Sequence, residues 1–568
     1  MFSVGAATAR ERSIKLFLFL FCALALRAQV YSAGPQVLTF FSGIDDSDQP
    51  YALYLPKNFN AAKKYPLVIS LHGAWSNHRL NLRRVFGKGN RAGETDPEAT
   101  RYFPALRDVD FLVASPYSRG TMGYQGIPAQ DVYDVLADVK RRFPIDEDRI
   151  YLTGLSMGGG GTFWLALTRP DIWAAIAPVC AAVPEGSLDL AANLLNIPVH
   201  LFHGDADPAV PVEQSRKWNH ELLRIGANVQ YTEYPGVRHN SWDLAYKDGA
   251  IFDWFSKFRR NRFPDEVRFA TRNYKYNSAY WVQLDGLTPG DLAKISARFQ
   301  NRNELVVETS GVQGFTLTPA GHSSFALGRA VSVAIDGAVL KVKGTEKLSF
   351  RKAEKRWRPG RYAPPAGEKR PGSEGPISEA VAARHVYVYG TADSPSPEEL
   401  NQRRRQAEEA AEWSTPRLKL LVNFRIVADK DVGESDLKDS NLVLFGTRET
   451  NSLIARLAAD APMALNAGAA DFGLVFVMPL GEHYALVNSG LPWWTGADRA
   501  QRAGLRFMPP PYRLLLSFGD YILFKGSLDN VIAEGRFTPQ WTVPPQEAEK
   551  MKATAAVTLR TAHREPAK

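Results

Sequence analysis

The sequence predicts an α/β fold: a mainly parallel sheet covered on both faces over residues 34–264, then a small all-β module over 265–350 and a C-terminal α/β region over 381–568. Two observations predict it. From 35 to about 262, continuous apolar, β-branched runs alternate with amphipathic helical stretches, the pattern of parallel strands buried on both faces. From 265 the segments become short and alternating, set between Gly, Asn and Pro turns, and helical spacing is absent up to about 350.

In chain order, the first unit reads as strands at Pro66–Leu71, Phe111–Ser115, Ile150–Gly154, Ala174–Cys180, Val199–Phe202 and Val229–Tyr234. Its clearest helices are Gln130–Phe143 and Gly158–Thr168. Pro264, after the run Arg259-Arg260-Asn261-Arg262, makes a boundary. The β module reads as Ala279–Leu284, Lys294–Phe299, Leu305–Thr309 and Val331–Ile335. Residues 351–380 read as a linker. Beyond them come VYVYGT (386–391), a charged helix at 397–413, NLVLFG (441–446), a helix at 450–459 and GLVFVMP (473–479).

Composition narrows the classes. With 45% hydrophobic and 23% charged residues in 568, the chain is neither disordered nor fibrous. Residues 1–33 read as an export signal: Arg10, Arg12 and Lys15, an eleven-residue apolar core LFLFLFCALAL (16–26), then small residues at Ala28 and Ala33. That core is too short to span a bilayer, so no stable membrane insertion is expected after cleavage. Phe21 before Cys22 argues against lipid attachment. Cleavage would leave Cys180 as the only cysteine, with no internal disulfide.

The net charge is +9; the leader holds four Lys/Arg and one Glu, leaving about +6. Residues 351–370 hold eight Lys/Arg and two Glu, again +6, so the remainder is close to neutral. A basic Pro/Gly stretch is a solvated linker or a contact for an anionic polymer or surface, not the folded basic face of a nucleic-acid binder.

The chemistry centres on Gly154-Leu155-Ser156-Met157-Gly158. A strand, RIYLTGLS, runs into the serine and a glycine-opened helix runs out of it, the arrangement a nucleophile elbow requires. The tight turn lifts Oγ above the sheet and leaves room only for small neighbours. A serine needs a base, and the base an orienting acid, following in the order Ser, Asp or Glu, His. The acid belongs just past the strand 199–202, in His203-Gly204-Asp205-Ala206-Asp207; Asp207 is the better placed, Asp205 the alternative. Of the histidines after Ser156, His200 and His203 read as packed and His220 as exposed on a helix. His239, in a strand-to-helix loop after the acid, is the base. The oxyanion donors are the amides of Met157 and of Ala74 or Trp75, past a strand ending in His72-Gly73. Trp242 and Tyr246 are candidate substrate-pocket residues or helix packing; Trp493-Trp494 stack on a sugar or fill a core.

Residues 36–262, about 40% of the chain, resemble the α/β-hydrolase superfamily. They are similar to feruloyl esterase and polyhydroxybutyrate depolymerase-type esterases and to the prolyl oligopeptidase catalytic domain. The matching segments are QPYALYLP (49–56), YPLVISLHG (65–73), DEDRIYLTGLSMGG (146–159), HGDADPAVP (203–211) and the His239 loop. The propeller that precedes the peptidase domain has no counterpart in the some 30 residues before this one.

The resemblance implies an exported serine hydrolase that cleaves carboxylic esters through Ser156, Asp207 and His239. Peptidase action by the same triad and a non-catalytic scaffold are the alternatives. The expected partner is a small-molecule or polymer-linked ester, or a peptide, with no nucleic acid, metal or cofactor. The sequence contains no HExxH, paired CxxC, Walker or dinucleotide motif. Residues 34–264 are expected to fold and act alone, with the later regions positioning a polymer, forming an oligomer interface or covering the site.

Overall fold

The computed structural model describes residues 31–415, 419–496 and 511–560. The leader, apart from its last three residues, lies outside them. No helix among the described residues is long and apolar enough to cross a membrane.

Eight strands form the first sheet: β1 Gly34–Ser42, β2 Ser47–Leu55, β3 Tyr65–Leu71, β4 Leu112–Pro116, β5 Ile145–Leu155, β6 Ala175–Val179, β7 Val199–Gly204 and β8 Val229–Tyr234. Their spatial order is β1-β2-β4-β3-β5-β6-β7-β8, with β2 antiparallel to both neighbours and every later pair parallel. All seven residues of β3 are buried, as a central parallel strand requires. Alternation then divides them between two cores: Leu67 and Ile69 face one layer, Val68 the other.

The covering helices include α1 His78–Val85, α2 Ile127–Arg142, α3 Met157–Thr168, α4 Glu213–Ile225 and α5 Ala250–Phe255. In α2, Val132, Val135, Leu136 and Val139 make the buried stripe, Pro128 sits in the first turn, and Lys140, Arg141 and Arg142 meet the negative end of the dipole. The hairpin β1–β2 and α1 extend beyond the elements read from sequence.

Residues 266–359 form two five-stranded sheets that share one core, with Val267, Ile295 and Val333 on one side and Leu284, Phe315 and Phe350 on the other. Here the structure departs from the linker reading of 351–380. Leu348–Ala353 and Arg356–Pro359 pair as a hairpin in the second of these sheets. Lys369 and Glu374 are buried further on. Lys369 is ion-paired with Asp520, 151 residues away, which sequence composition does not reveal.

Glu374 Oε2 and Oε1 accept the amides of Tyr274 (2.6 Å) and Lys275 (2.9 Å). Burial pushes its carboxyl up to about 7, those amides opposing the rise. The folded value lies above the unfolded one, so this group's stabilisation is complete below about pH 4.5 and is lost as pH rises through about 7. The stability difference between the wild type and Glu374→Gln is therefore expected to move in the variant's favour from pH 5 to pH 8. Thermal melts at both pH values check this, and a pH-independent difference would contradict it.

The last seven-stranded sheet runs, across its width, Arg425–Ala428, His385–Tyr389, Asn441–Phe445, His483–Gly490, Phe472–Leu480, Tyr521–Lys525 and Ser527–Gly535. Its first four strands are parallel. Helix α6, Pro397–Ala411, carries a capping box from Ser396 and Glu399. A shorter helix, α7, spans Pro511–Leu515. Trp493 is fully buried and donates its Nε1–H to Pro511 O (2.8 Å), so it fills this core; Trp494 is half-buried beside it.

The core of this region is not its own: Ile44 and Ile127 of the first unit belong to it. Buried Arg119, in the loop after β4, donates to Leu421 O (3.0 Å) and is ion-paired with Asp45 and Asp131. These shared contacts run against the expectation that residues 34–264 fold alone.

Candidate active site

Ser156 stands between β5 and α3 at φ 56°, ψ −117°, a strained region for a residue with a Cβ. Its backbone is held there: N–H donates to Val179 O (2.9 Å), and its carbonyl accepts from Gly160 (3.0 Å) and Ala182 (3.1 Å). The flanking glycines are sterically required. A Cβ on Gly158 would lie 2.2 Å from Leu71 O, and one on Gly154 would lie 2.3 Å from Gly158 O. Gly158→Ala is expected to abolish activity and to lower the yield of folded protein, since the atoms its Cβ would meet, Leu71 O and C and His72 O, are all backbone. A soluble, fully active variant would show that the elbow tolerates a shift it has no room for.

Ser156 Oγ lies 2.9 Å from His239 Nε2, and His239 Nδ1 lies 2.7 Å from Asp207 Oδ2. A carboxylate only accepts, so Nδ1 carries the proton and Nε2 is free to accept from the serine hydroxyl. Asp207 Oδ1 accepts the amides of Ala209 (2.8 Å) and Val210 (3.0 Å). Burial pushes this carboxyl up, but the hydrogen bonds from His239, Val210 and Ala209 outweigh it and hold the group below the ordinary carboxylate value.

Asp205 does something else. Its Oδ1 accepts the Gly236 amide (2.6 Å), tying the acid loop to the loop that carries His239. His203 is fully buried beneath the acid loop, with Nδ1 2.7 Å from Ser215 Oγ and Nε2 3.0 Å from Val210 O, its hydrogen-bond partner in that loop, and 3.2 Å from Asp207 Oδ2. His200 reaches Thr232 Oγ1 (2.9 Å), and His220 is exposed on α4.

The Ala74 amide has no hydrogen-bond partner among the described residues, whereas Trp75 donates its N–H to Thr121 Oγ1 (2.9 Å). Of the two alternatives, Ala74 is the free donor. Gly73 packs so closely on the residue before Ser156 that a Cβ there would stand 2.7 Å from Leu155 Cδ1. Met157 adds the first N–H of α3, which no helical carbonyl can take. Buried His72 lies 2.8 Å from both Gly73 O and Tyr117 O, and Tyr124 OH donates to His72 O (3.1 Å).

Trp242 stands edge-on to the His239 ring at 5.5 Å, while Trp75 is 67% exposed at φ 64°. Tyr246 is not a pocket wall. It is fully buried with its hydroxyl 2.8 Å from Thr153 Oγ1, packed on the inner side of its short helical segment.

Cys180 Sγ, Asp207 and His239 lie within 4.8 Å of one another, a donor set that a metal ion would recognise. The Asp207 oxygen and both His239 nitrogens are already engaged with each other and with Ser156. Burial pushes the Cys180 thiol up to about 12, away from the thiolate that metal ligation needs.

A family model described as phospholipase/carboxylesterase matches residues 129–248, a span containing Ser156, Asp207 and His239. Probable feruloyl esterase C of Aspergillus oryzae is 27% identical over 214 residues, covering 35% of this chain and 71% of the relative. The chain is a serine hydrolase with the α/β-hydrolase fold. Cutinase 1 of Thermobifida cellulosilytica is 33% identical to the hydrolase over 124 residues, which is 22% of this chain and less than half, 44%, of the cutinase. Among solved structures, a thermostable esterase has 29% identity and a TM-score of 0.33 over 40% of the hydrolase and 63% of its own chain.

Proposed function

We propose that this serine hydrolase is an exported enzyme that cleaves carboxylic esters through Ser156, His239 and Asp207. The observation that supports it best is the unbroken line of hydrogen bonds from Ser156 Oγ to His239 Nε2 and from Nδ1 to Asp207. Ser156 Oγ attacks the ester carbonyl carbon as its proton passes to Nε2. The oxyanion is held by the amides of Met157 and Ala74. The C–O bond then breaks and the leaving oxygen takes the proton from Nε2. Water attacks the acyl-serine, gives its proton to Nε2, and Ser156 leaves with that proton. Asp207 keeps the imidazole in the accepting tautomer throughout.

An ester is favoured over a peptide because the relatives include a feruloyl esterase and cutinases by name. Residues 1–33 supply the export signal.

The test is fluorophosphonate labelling of the full chain with mass-spectrometric mapping, Ser156→Ala alongside, followed by parallel ester and peptide substrates. A single adduct on Ser156, absent from the variant, with ester turnover is expected. No adduct would overturn the mechanism, and turnover of peptides alone would replace the substrate class.

A further inference from the structure

Next to Met157 lies a pocket of about 100 Å³ whose walls include Met122, Met157, Trp164, Ala182, Pro184 and Leu516. Five of these belong to the hydrolase sheet region; Leu516, 46% exposed, comes from the C-terminal region directly after α7. The helix is firmly held. Leu514 and Leu515 are buried, Tyr512 stacks on Trp413 at 4.4 Å, and Arg513 Nη2 donates to Thr121 O (3.0 Å). Thr121 is also the residue whose hydroxyl accepts the Trp75 amide, so one short helix touches the pocket and the loop beside the nucleophile.

We propose that Leu516 forms the outer wall of the acyl-binding pocket and sets the acyl-chain length the enzyme accepts, so that the C-terminal region is a specificity element of the active site. This rests on Ser156 as the nucleophile and His239 as the base. His239 must deliver its proton to the leaving oxygen, so the leaving group lies on its side. None of residues 236–246, the loop and short helix around His239, lines this pocket, whereas Met157 does. The acyl group is the part of the ester directed there.

At about 100 Å³ the space is smaller than the ~150 Å³ of an apolar cavity that takes a benzene ring. It fits a short aliphatic acyl chain, acetyl to butyryl, and a longer one would have to displace Leu516. A methylene that fits a pocket, or fails to, changes kcat/KM by about 10–200-fold.

The test uses the full chain and p-nitrophenyl acetate, butyrate and hexanoate, which share one leaving group. The wild type is expected to lose at least about tenfold in kcat/KM from butyrate to hexanoate. Leu516→Ala is expected to raise the hexanoate-to-butyrate ratio about tenfold, and Leu516→Trp to lower the butyrate-to-acetate ratio by a similar factor. Fluorophosphonate labelling of Ser156 at the wild-type rate shows that each variant keeps its nucleophile. Labelled variants with unchanged ratios would overturn the assignment of Leu516 and leave the mechanism standing. No labelling of wild-type Ser156 would overturn the mechanism, and this assignment with it.

Discussion

Asp207→Asn is expected to keep the fold and lose about 10⁴-fold in kcat on a small ester, with little change in KM. Asp207 Oδ1 accepts two amides, from Ala209 and Val210. An asparagine oxygen would stay there, because turning it away would set an NH₂ group against two N–H donors. The NH₂ group then faces His239 Nδ1, forcing that nitrogen to accept and moving the ring proton to Nε2. A histidine with Nε2–H cannot take the proton of Ser156. Steady-state kinetics and a thermal melt check the outcome, the midpoint shifting by only a few degrees. Asp205→Asn is the control. Its carboxylate meets Gly236 rather than a histidine, so a loss below about tenfold is expected. The reverse ranking would transfer the acid's role to Asp205.

Arg119→Leu is expected to destabilise the chain by about 3–5 kcal/mol, the range for removing one partner of a buried ion pair. The guanidinium reaches Asp45 Oδ2 (2.6 Å), Asp131 Oδ2 (2.8 Å) and Ser42 Oγ (2.6 Å), with Arg119 and both carboxylates fully enclosed. Burial pushes Asp131 up, and Arg119, opposing it, leaves the group at about 6. Without the arginine, two carboxylates remain in the dry interior.

The damage falls on the seam between regions, because Arg119 also donates to Leu421 O and Asp45 accepts the Asn423 amide (3.1 Å). Denaturation midpoints measure the effect, and Arg119→Leu combined with Asp45→Asn and Asp131→Asn is expected to recover part of it. A loss under about 1 kcal/mol would show that water or rearrangement reaches the cluster. The same cluster predicts that residues 34–264 expressed alone are poorly soluble.

What could be read in advance followed from local rules. Parallel strands such as Tyr65–Leu71 (YPLVISL) were legible because burial on both faces writes a continuous apolar run. That Ser156, Asp207 and His239 come within hydrogen-bond reach of one another was legible because each sits in a loop at a strand end, in a fixed chain order. The hairpin β1–β2 went unread although β2 ends in the buried run Tyr51–Leu55, whereas α1 (HRLNLRRV) spends five of its eight positions on His, Arg and Asn.

Other misses have a different cause: the decisive partner is far away in sequence. Lys369 meets Asp520 across 151 residues, and Thr121 meets Arg513 across 392. Nothing local distinguishes such residues from solvated ones. Tyr246 took the packing alternative; the choice stayed open in the sequence because an amphipathic segment does not say which of its aromatic rings points inward.

The left-handed backbone at Ser156 has a consequence for how this chain can change over time. Glycine adopts that conformation freely, while a residue with a Cβ carries a strain of order 1–2 kcal/mol there. Position 156 is therefore one where stability and turnover select opposite residues. Ser156→Gly would abolish the hydroxyl and yet relax the fold, an instance of the trade-off between stability and activity. Under the proposed mechanism, a lineage released from catalysis has a downhill path open to it at this codon, and the serine that stands here is the residue that only chemistry would retain.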